Sequence, residues 1–116
     1  MSQISQAEAA DLMGKLFTER IPVQALFVSP DGTRISLFGF VDSVTRDVGI
    51  VVSVSGPPID VSRGYFTFIP FDSGCEFWYG EQRELPAELR LSETRGESCL
   101  LFHLASAERI ALFFTI

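Results

Sequence analysis

Several residue types that mark specialised protein classes are scarce in this sequence of 116 residues. Two cysteines are too few for a disulfide-stapled scaffold, and nine glycines exclude a collagen-like chain. No apolar run approaches the ~20 residues that a membrane-spanning helix needs. The N-terminal residues also lack the basic patch and apolar stretch of a secretory signal. We therefore expect a cytoplasmic protein that makes no membrane contact.

Basic residues are also few. The chain has 9 Lys and Arg against 15 Asp and Glu, which gives a formal net charge of −6, and neither half is basic. This balance argues against a nucleic-acid partner. All the basic residues except Lys15 are arginines. Because the guanidinium fork suits phosphate and carboxylate, a local arginine pocket is compatible with the sequence.

The sequence contains no assembled catalytic or metal-binding motif. The single histidine, His103, lies in the apolar segment 100–104, and no G-x-S-x-G elbow is present. On a strand, Cys99 and His103 would lie about 13 Å apart, which is too far for two ligands of one zinc ion. We expect no metal and no cofactor. One enzymatic alternative stays open, a hydrolase-type enzyme that uses His103 with a carboxylate or with Cys99.

The first twenty residues predict one helix. Ser5 and Glu8 form an S-x-x-E capping box, and apolar residues then recur at spacings of three and four. Pro22 ends this pattern, so the helix is predicted over 5–19. The apolar stripe consists of Ala9, Leu12, Met13, Leu16 and Phe17.

From residue 21 the apolar period changes to two, and turn residues such as those at 29–32 separate the segments. The pattern predicts a mainly β fold, an antiparallel small barrel or two-sheet sandwich of about seven or eight strands with one N-terminal helix. We expect a single domain over 1–116, with the helix at 5–19 and the β-barrel at 21–116. The predicted strands are 23–28, 33–44, 48–54, 65–71, 75–79, 88–91, 99–104 and 109–115.

Eleven phenylalanines supply more apolar surface than one small barrel needs. Phe38 and Phe40 share one face of a predicted strand whose opposite face is also apolar, and Phe66 and Phe68 repeat this arrangement two strands later. Large exposed apolar patches are uncommon on monomers. We therefore expect a homodimer whose contact buries some of these four rings or an open sheet edge.

Four stretches follow the order of strand segments in a known family: Arg20–Val23, Gly39–Thr45, Leu85–Arg90 and Arg109–Phe114. Through them, the region 20–116 resembles a PilZ domain, a small bacterial β-barrel that binds cyclic di-GMP. The resemblance implies a β-barrel fold and a nucleotide ligand held by arginines.

The ligand motifs of that family are altered here. The family has R-x-x-x-R, whereas Lys15 and Arg20 stand five residues apart, and its D/N-x-S-x-x-G motif is one residue short at 60–64. Recognition of the dinucleotide uses two guanidinium groups at once, so we expect cyclic di-GMP to bind weakly or not at all. A degenerate nucleotide sensor would use Arg20, Arg46 and Arg63.

The region 6–71 is also similar to an Sm-like barrel, because the segment 39–52 follows the first motif of that family without a gap. The RNA-contacting Asp and Asn of the family fall on Thr45 and Gly49. This resemblance implies an oligomeric barrel, and the negative net charge argues against RNA as its ligand.

The missing catalytic set and the surplus apolar faces favour a non-catalytic module that acts through protein–protein contacts or binds a small ligand. The candidate ligand residues are Arg20, Arg46 and Arg63, and the candidate interface residues are Phe38, Phe40, Phe66 and Phe68.

Overall fold

A computed structural model of the protein describes residues 1–45, 51–55, 65–68, 74–90 and 96–116, with the backbone alone described at 42–45, 51–55 and 65–68. The described residues form eight strands and one α-helix, which confirms the prediction of a mainly β fold. The elements are β1 (Ser2–Ile4), α1 (Gln6–Thr18), β2 (Val23–Val28), β3 (Arg34–Thr45), β4 (Val51–Ser55), β5 (Tyr65–Phe68), β6 (Glu76–Glu81), β7 (Ser98–His103) and β8 (Arg109–Phe114), with 3₁₀ helices at Gln82–Glu84 and Ala87–Leu89.

All the strand pairs are antiparallel, and the strands hydrogen-bond in the order β1-β6-β7-β8-β2-β3-β4-β5. The long strand β3 pairs with β2 through its first half and with β4 through its second half. The register shifts between Val41 and Ser43, where a bulge bends a long strand. Within the described residues, the edge strands β1 and β5 do not pair with each other, so the sheet is open.

Helix α1 begins and ends with specific hydrogen bonds. The Glu8 N–H donates to Ser5 Oγ at 3.1 Å, and the Ser5 N–H donates to the Glu8 carboxylate, as the capping box predicts. At the other end, Ile21 N donates to Leu16 O and Arg20 N donates to the carbonyl of residue 17. This pair of bonds is a Schellman motif, and it places Arg20 at a positive φ of 52°.

The sheet buries apolar side chains on both faces. One face packs against α1, and the opposite face is covered in part by Leu85 and Leu89 from the 3₁₀ helices. Full burial of one such side chain stabilises the fold by about 1.5–3 kcal/mol. On the helix side the core includes Met13, Leu16, Val23, Ala25, Val41, Leu100, Phe102, Leu112 and Phe114, and on the other side it includes Leu26, Val28, Cys99, Ala111 and Phe113.

The predicted strand at 88–91 is wrong, because Ala87–Leu89 is a 3₁₀ helix. Leu85 precedes this 3₁₀ helix and Leu89 ends it, and both side chains pack against the sheet. The carbonyls of Leu85 and Arg83 accept hydrogen bonds at 2.7 Å from the Arg90 guanidinium rather than from a neighbouring strand. The eighth strand is instead β1, which the sequence pattern did not predict. No helix in the described part of the chain is long and apolar enough to cross a membrane.

Candidate ligand-binding site

A row of three side chains crosses adjacent strands on the face of the sheet opposite α1. Gln24 of β2 stands directly opposite Phe113 of β8 on one side and Phe38 of β3 on the other. Directly opposed residues of an antiparallel pair point to the same face, so the Gln24 amide lies between two phenylalanines. Phe40 follows Phe38 on this face, two residues along β3.

These residues form the wall of a cavity of about 330 Å³. Small-molecule sites in proteins usually enclose about 300–1,000 Å³ and are lined mainly by apolar and aromatic groups with a few polar ones. The cavity fits that description, because Gln24 and Thr115 bring the only polar side chains among its described lining residues. The lining residues are Pro22, Val23, Gln24, Phe38, Phe40, Gly96, Phe113, Phe114 and Thr115.

The Gln24 side chain is incompletely hydrogen-bonded. In the part of the chain that the structure describes, its Oε1 is buried and accepts no hydrogen bond. Leaving a buried acceptor unsatisfied costs about 1–3 kcal/mol, and most buried polar groups in native proteins have a partner.

The predicted ligand residue Arg20 stands beside the cavity. Its guanidinium carbon lies 4.6 Å from the centroid of the Phe40 ring, which is cation–π geometry. Phe40 lines the cavity, so the ring of Phe40 lies between the cavity and the positive charge of Arg20. Arg46 and Arg63, the other two predicted ligand residues, lie outside the described residues.

The four predicted interface phenylalanines fall in two places. Phe38 and Phe40 are half-buried in the cavity wall. Phe66 and Phe68 lie on β5, where their backbones pair with Val54 and Val52 of β4. A role of these rings in a dimer contact stays a prediction.

His103, the residue of the enzymatic alternative, is exposed at the end of β7, directly opposite Glu76 of β6. It lines a cleft of about 240 Å³ whose described lining residues include no serine, threonine or cysteine. Cys99 is buried on the same strand, and burial raises the pKa of its thiol to about 12, which disfavours a nucleophilic thiolate. Among the described residues, no group of three or more His, Cys, Asp or Glu could hold a metal ion.

The sequence analysis missed Gln24 as a site residue. A signal for it exists, because Gln24 is the one polar residue of the strand Val23–Val28, both faces of which are otherwise apolar. A polar residue that is half-buried between apolar neighbours is more informative than another apolar one. Gln24 lies between Phe38 and Phe113 because of strand pairing, and these two partners are 14 and 89 residues away from it in the sequence. Periodicity along the chain could not show this arrangement.

Comparisons with protein-family models, with curated proteins and with solved structures found no significant match for this chain.

Proposed function

We propose that this protein is a non-catalytic β module that binds a small ligand in the cavity between Phe38, Gln24 and Phe113. The observation that carries the proposal is the cavity itself, which encloses about 330 Å³ and has a mainly apolar and aromatic lining. A cavity of this size with this lining supports a small ligand that is mainly apolar or aromatic.

Of the three arginines in the nucleotide-sensor hypothesis, the structure describes Arg20, and Arg46 and Arg63 lie outside the described residues. Arg20 supports it through its position over Phe40, and the PilZ-like family remains a proposal. The family motif holds a cyclic dinucleotide with two guanidinium groups at once, and the altered R-x-x-x-R motif of this sequence does not provide that pair. Calorimetry with cyclic di-GMP at micromolar protein should therefore show weak binding or none, and submicromolar affinity would contradict this interpretation of the altered motifs.

The proposed ligand binding is tested by adding four small probes one at a time: toluene, phenol, benzoate and indole. The backbone amide signals in NMR spectra report where each probe binds. We expect at least one probe to shift the amide signals of the cavity wall selectively. If none of the four shifts these signals, or if the shifts lie elsewhere, the cavity is not a ligand site. The amides to be followed are those of Val23, Gln24, Phe38, Phe40, Phe113 and Phe114.

A cavity-filling variant sharpens this test. Gln24→Phe places a ring in the cavity and should abolish the selective shifts. Gln3→Phe is the control, because Gln3 is exposed on β1 and does not line the cavity. Melting curves of both variants establish that they are folded before the probes are added.

A further inference from the structure

We infer that the segment 82–90, here called the strap, is a lid whose opening lets the cavity take a dissolved molecule with one unbranched alkyl chain, an inference that rests on the proposed ligand-binding function. Three features of the structure support it. The strap is folded by its own hydrogen bonds, few buried contacts join it to the sheet, and the apolar surface beneath it is continuous with the cavity wall.

The strap is folded by hydrogen bonds within itself. Each of its two 3₁₀ helices, Gln82–Glu84 and Ala87–Leu89, is closed by a backbone hydrogen bond from the N–H of the residue that follows it. The Arg90 guanidinium donates at 2.7 Å to the carbonyls of Leu85 and Arg83. None of these bonds involves a strand, so the strap keeps them when it leaves the sheet.

Two leucines provide the buried contacts of the strap. Leu85 and Leu89 are 1% and 2% exposed, whereas most of the other strap residues are exposed. Polar contacts to neighbouring elements include the ion pairs of Glu84 with the Met1 amine and of Glu88 with Arg109, and a hydrogen bond from the Arg34 guanidinium to the Arg90 carbonyl. Ion pairs at the surface contribute little to stability, and segments with few buried contacts are those that open locally.

The sheet surface beneath the strap is apolar and continues into the cavity wall. Phe113 belongs to both, because it lines the cavity and also packs in the core cluster that contains the two strap leucines. On β2, Val28 lies four residues, or about 13 Å, from Gln24 of the cavity wall and on the same face. Opening of the strap therefore lengthens the cavity along β2. The surface beneath the strap consists of Leu26, Val28, Cys99, Ala111 and Phe113.

An alkyl chain suits this surface because it replaces what already covers it. In the closed strap, the aliphatic side chains of Leu85 and Leu89 pack in the same cluster as the surface residues. One part of an alkyl chain would fill the cavity, and the rest would lie where the two leucines lie. Burial of each additional methylene strengthens binding by about fourfold, and this gain offsets the loss of the leucine contacts.

The test compares butan-1-ol, hexan-1-ol, octan-1-ol and decan-1-ol by NMR titration of the full chain. We expect the affinity to rise by about tenfold at each step of two methylenes. Butan-1-ol should shift the amide signals of the cavity wall alone, whereas octan-1-ol and decan-1-ol should also shift signals beneath the strap and within it. The additional amides are those of Leu26, Val28, Leu85, Leu89 and Ala111.

One variant loosens the strap from its exposed side. Glu88→Gln removes the ion pair with Arg109, and Glu88 lines neither the cavity nor the surface beneath the strap. The variant should bind decan-1-ol about twofold or more tightly than the wild type does, because its closed strap is less stable, and should bind butan-1-ol with unchanged affinity. Glu108→Gln, at an exposed glutamate outside the strap, is the matched control and should change neither affinity. Urea denaturation curves establish that both variants are folded.

The outcomes separate this inference from the proposed function. If the affinity stops rising after hexan-1-ol, if the longer alcohols shift no strap amide, or if Glu88→Gln does not favour decan-1-ol, the strap is a fixed part of the core and the inference is wrong. The cavity is still a ligand site in each of these cases if butan-1-ol or toluene shifts the amides of its wall. If neither an alcohol nor toluene shifts them, the proposed function fails as well.

Discussion

Gly32 and Ala107 occupy the same position in two hairpin turns of the sheet, and both have positive φ, 91° and 71° respectively. The turns span residues 29–33 and 104–108. In each, the first N–H donates to the last carbonyl and the fourth N–H donates to the first carbonyl, all at 2.9 Å. This is a three-residue hairpin loop whose last residue is left-handed, a position that favours glycine. The first hairpin has glycine there, and the second has alanine.

Ala107→Gly is therefore expected to stabilise the protein. The left-handed backbone destabilises the folded protein by about 1–2 kcal/mol when the residue is alanine, and glycine removes this cost. The greater freedom of glycine in the unfolded chain offsets about 0.4–1 kcal/mol of that stabilisation. We expect a net increase of about 0.5–1 kcal/mol in the free energy of unfolding, measured by urea denaturation. Gly32→Ala should destabilise the first hairpin. Ala105→Gly, in the same turn as Ala107 but without positive φ, is the control and should not stabilise.

Gly96→Ala is expected to destabilise the protein and to disturb the cavity. A Cβ at Gly96 would lie 2.6 Å from Phe114 Cα and 2.7 Å from its carbonyl carbon, and backbone cannot move aside cheaply. Gly14→Ala in α1 is the control, because a Cβ there meets nothing within 4 Å and alanine favours a helix interior by roughly 0.5–1 kcal/mol over glycine. Denaturation curves should shift in opposite directions. Equal stability of the wild type and Gly96→Ala would contradict this close approach.

The local elements of the fold could be predicted from the sequence, because local chemistry determines them. The Ser5 cap, the strand Val23–Val28 and the turn that ends at Gly32 all have the bounds or bonds that their residue types imply. The strand Ser2–Ile4 could not be predicted, since three residues carry no period and their partners Phe77–Tyr79 lie 73–77 positions away. Such a strand forms because it pairs with a distant segment of the chain, and the pattern of a single sequence does not show that pairing.

The candidate site also combines residues that the sequence shows with an arrangement that depends on long-range pairing. Arg20 and the apolar face of Phe38 and Phe40 were visible as residue types in the sequence. Their meeting with Gln24 and Phe113 depends on β8 pairing with β2, a connection between the two ends of the chain. The positive φ of Arg20 could not be predicted either, because arginine gives no signal for a left-handed helix end.

Stability is expected to fall in acid partly through Asp31. The Ser29 hydroxyl and the Thr33 backbone N–H both donate to its carboxylate, and they lower its pKa to about 2. A folded-state pKa below that of the unfolded chain means stabilisation above about pH 4, lost as the pH falls towards 2. The difference in melting temperature between the wild type and Asp31→Ala should therefore shrink across that range. The control is Ser106→Ala, at the corresponding position of the second turn. Because serine does not titrate, the difference in melting temperature between the wild type and this variant should stay constant across the same range.

The two thiols are expected to react at very different rates. Cys99 is fully buried, and burial raises its pKa to about 12, so very little of this thiol is ionised at pH 8. Cys75 is only half-buried. Iodoacetamide on the folded protein should label Cys75 first, and Cys99 should react only after denaturation in guanidinium, as peptide mass spectrometry can show. Equal labelling of both thiols in the folded state would contradict the burial of Cys99.

The predicted homodimer and the proposed ligand site make opposing demands on the same rings. Phe38 and Phe40 line the cavity, so a dimer contact that covers them should compete with a probe bound there. We expect the mass from light scattering to rise above 12.9 kDa with protein concentration and to fall back when a small probe that binds in the cavity is added. Phe17→Ser, at an exposed ring on α1 outside the cavity, is the control and should leave the concentration dependence unchanged. A mass of 12.9 kDa at every concentration would exclude the dimer, and a dimer unaffected by a bound probe would place its contact away from the cavity.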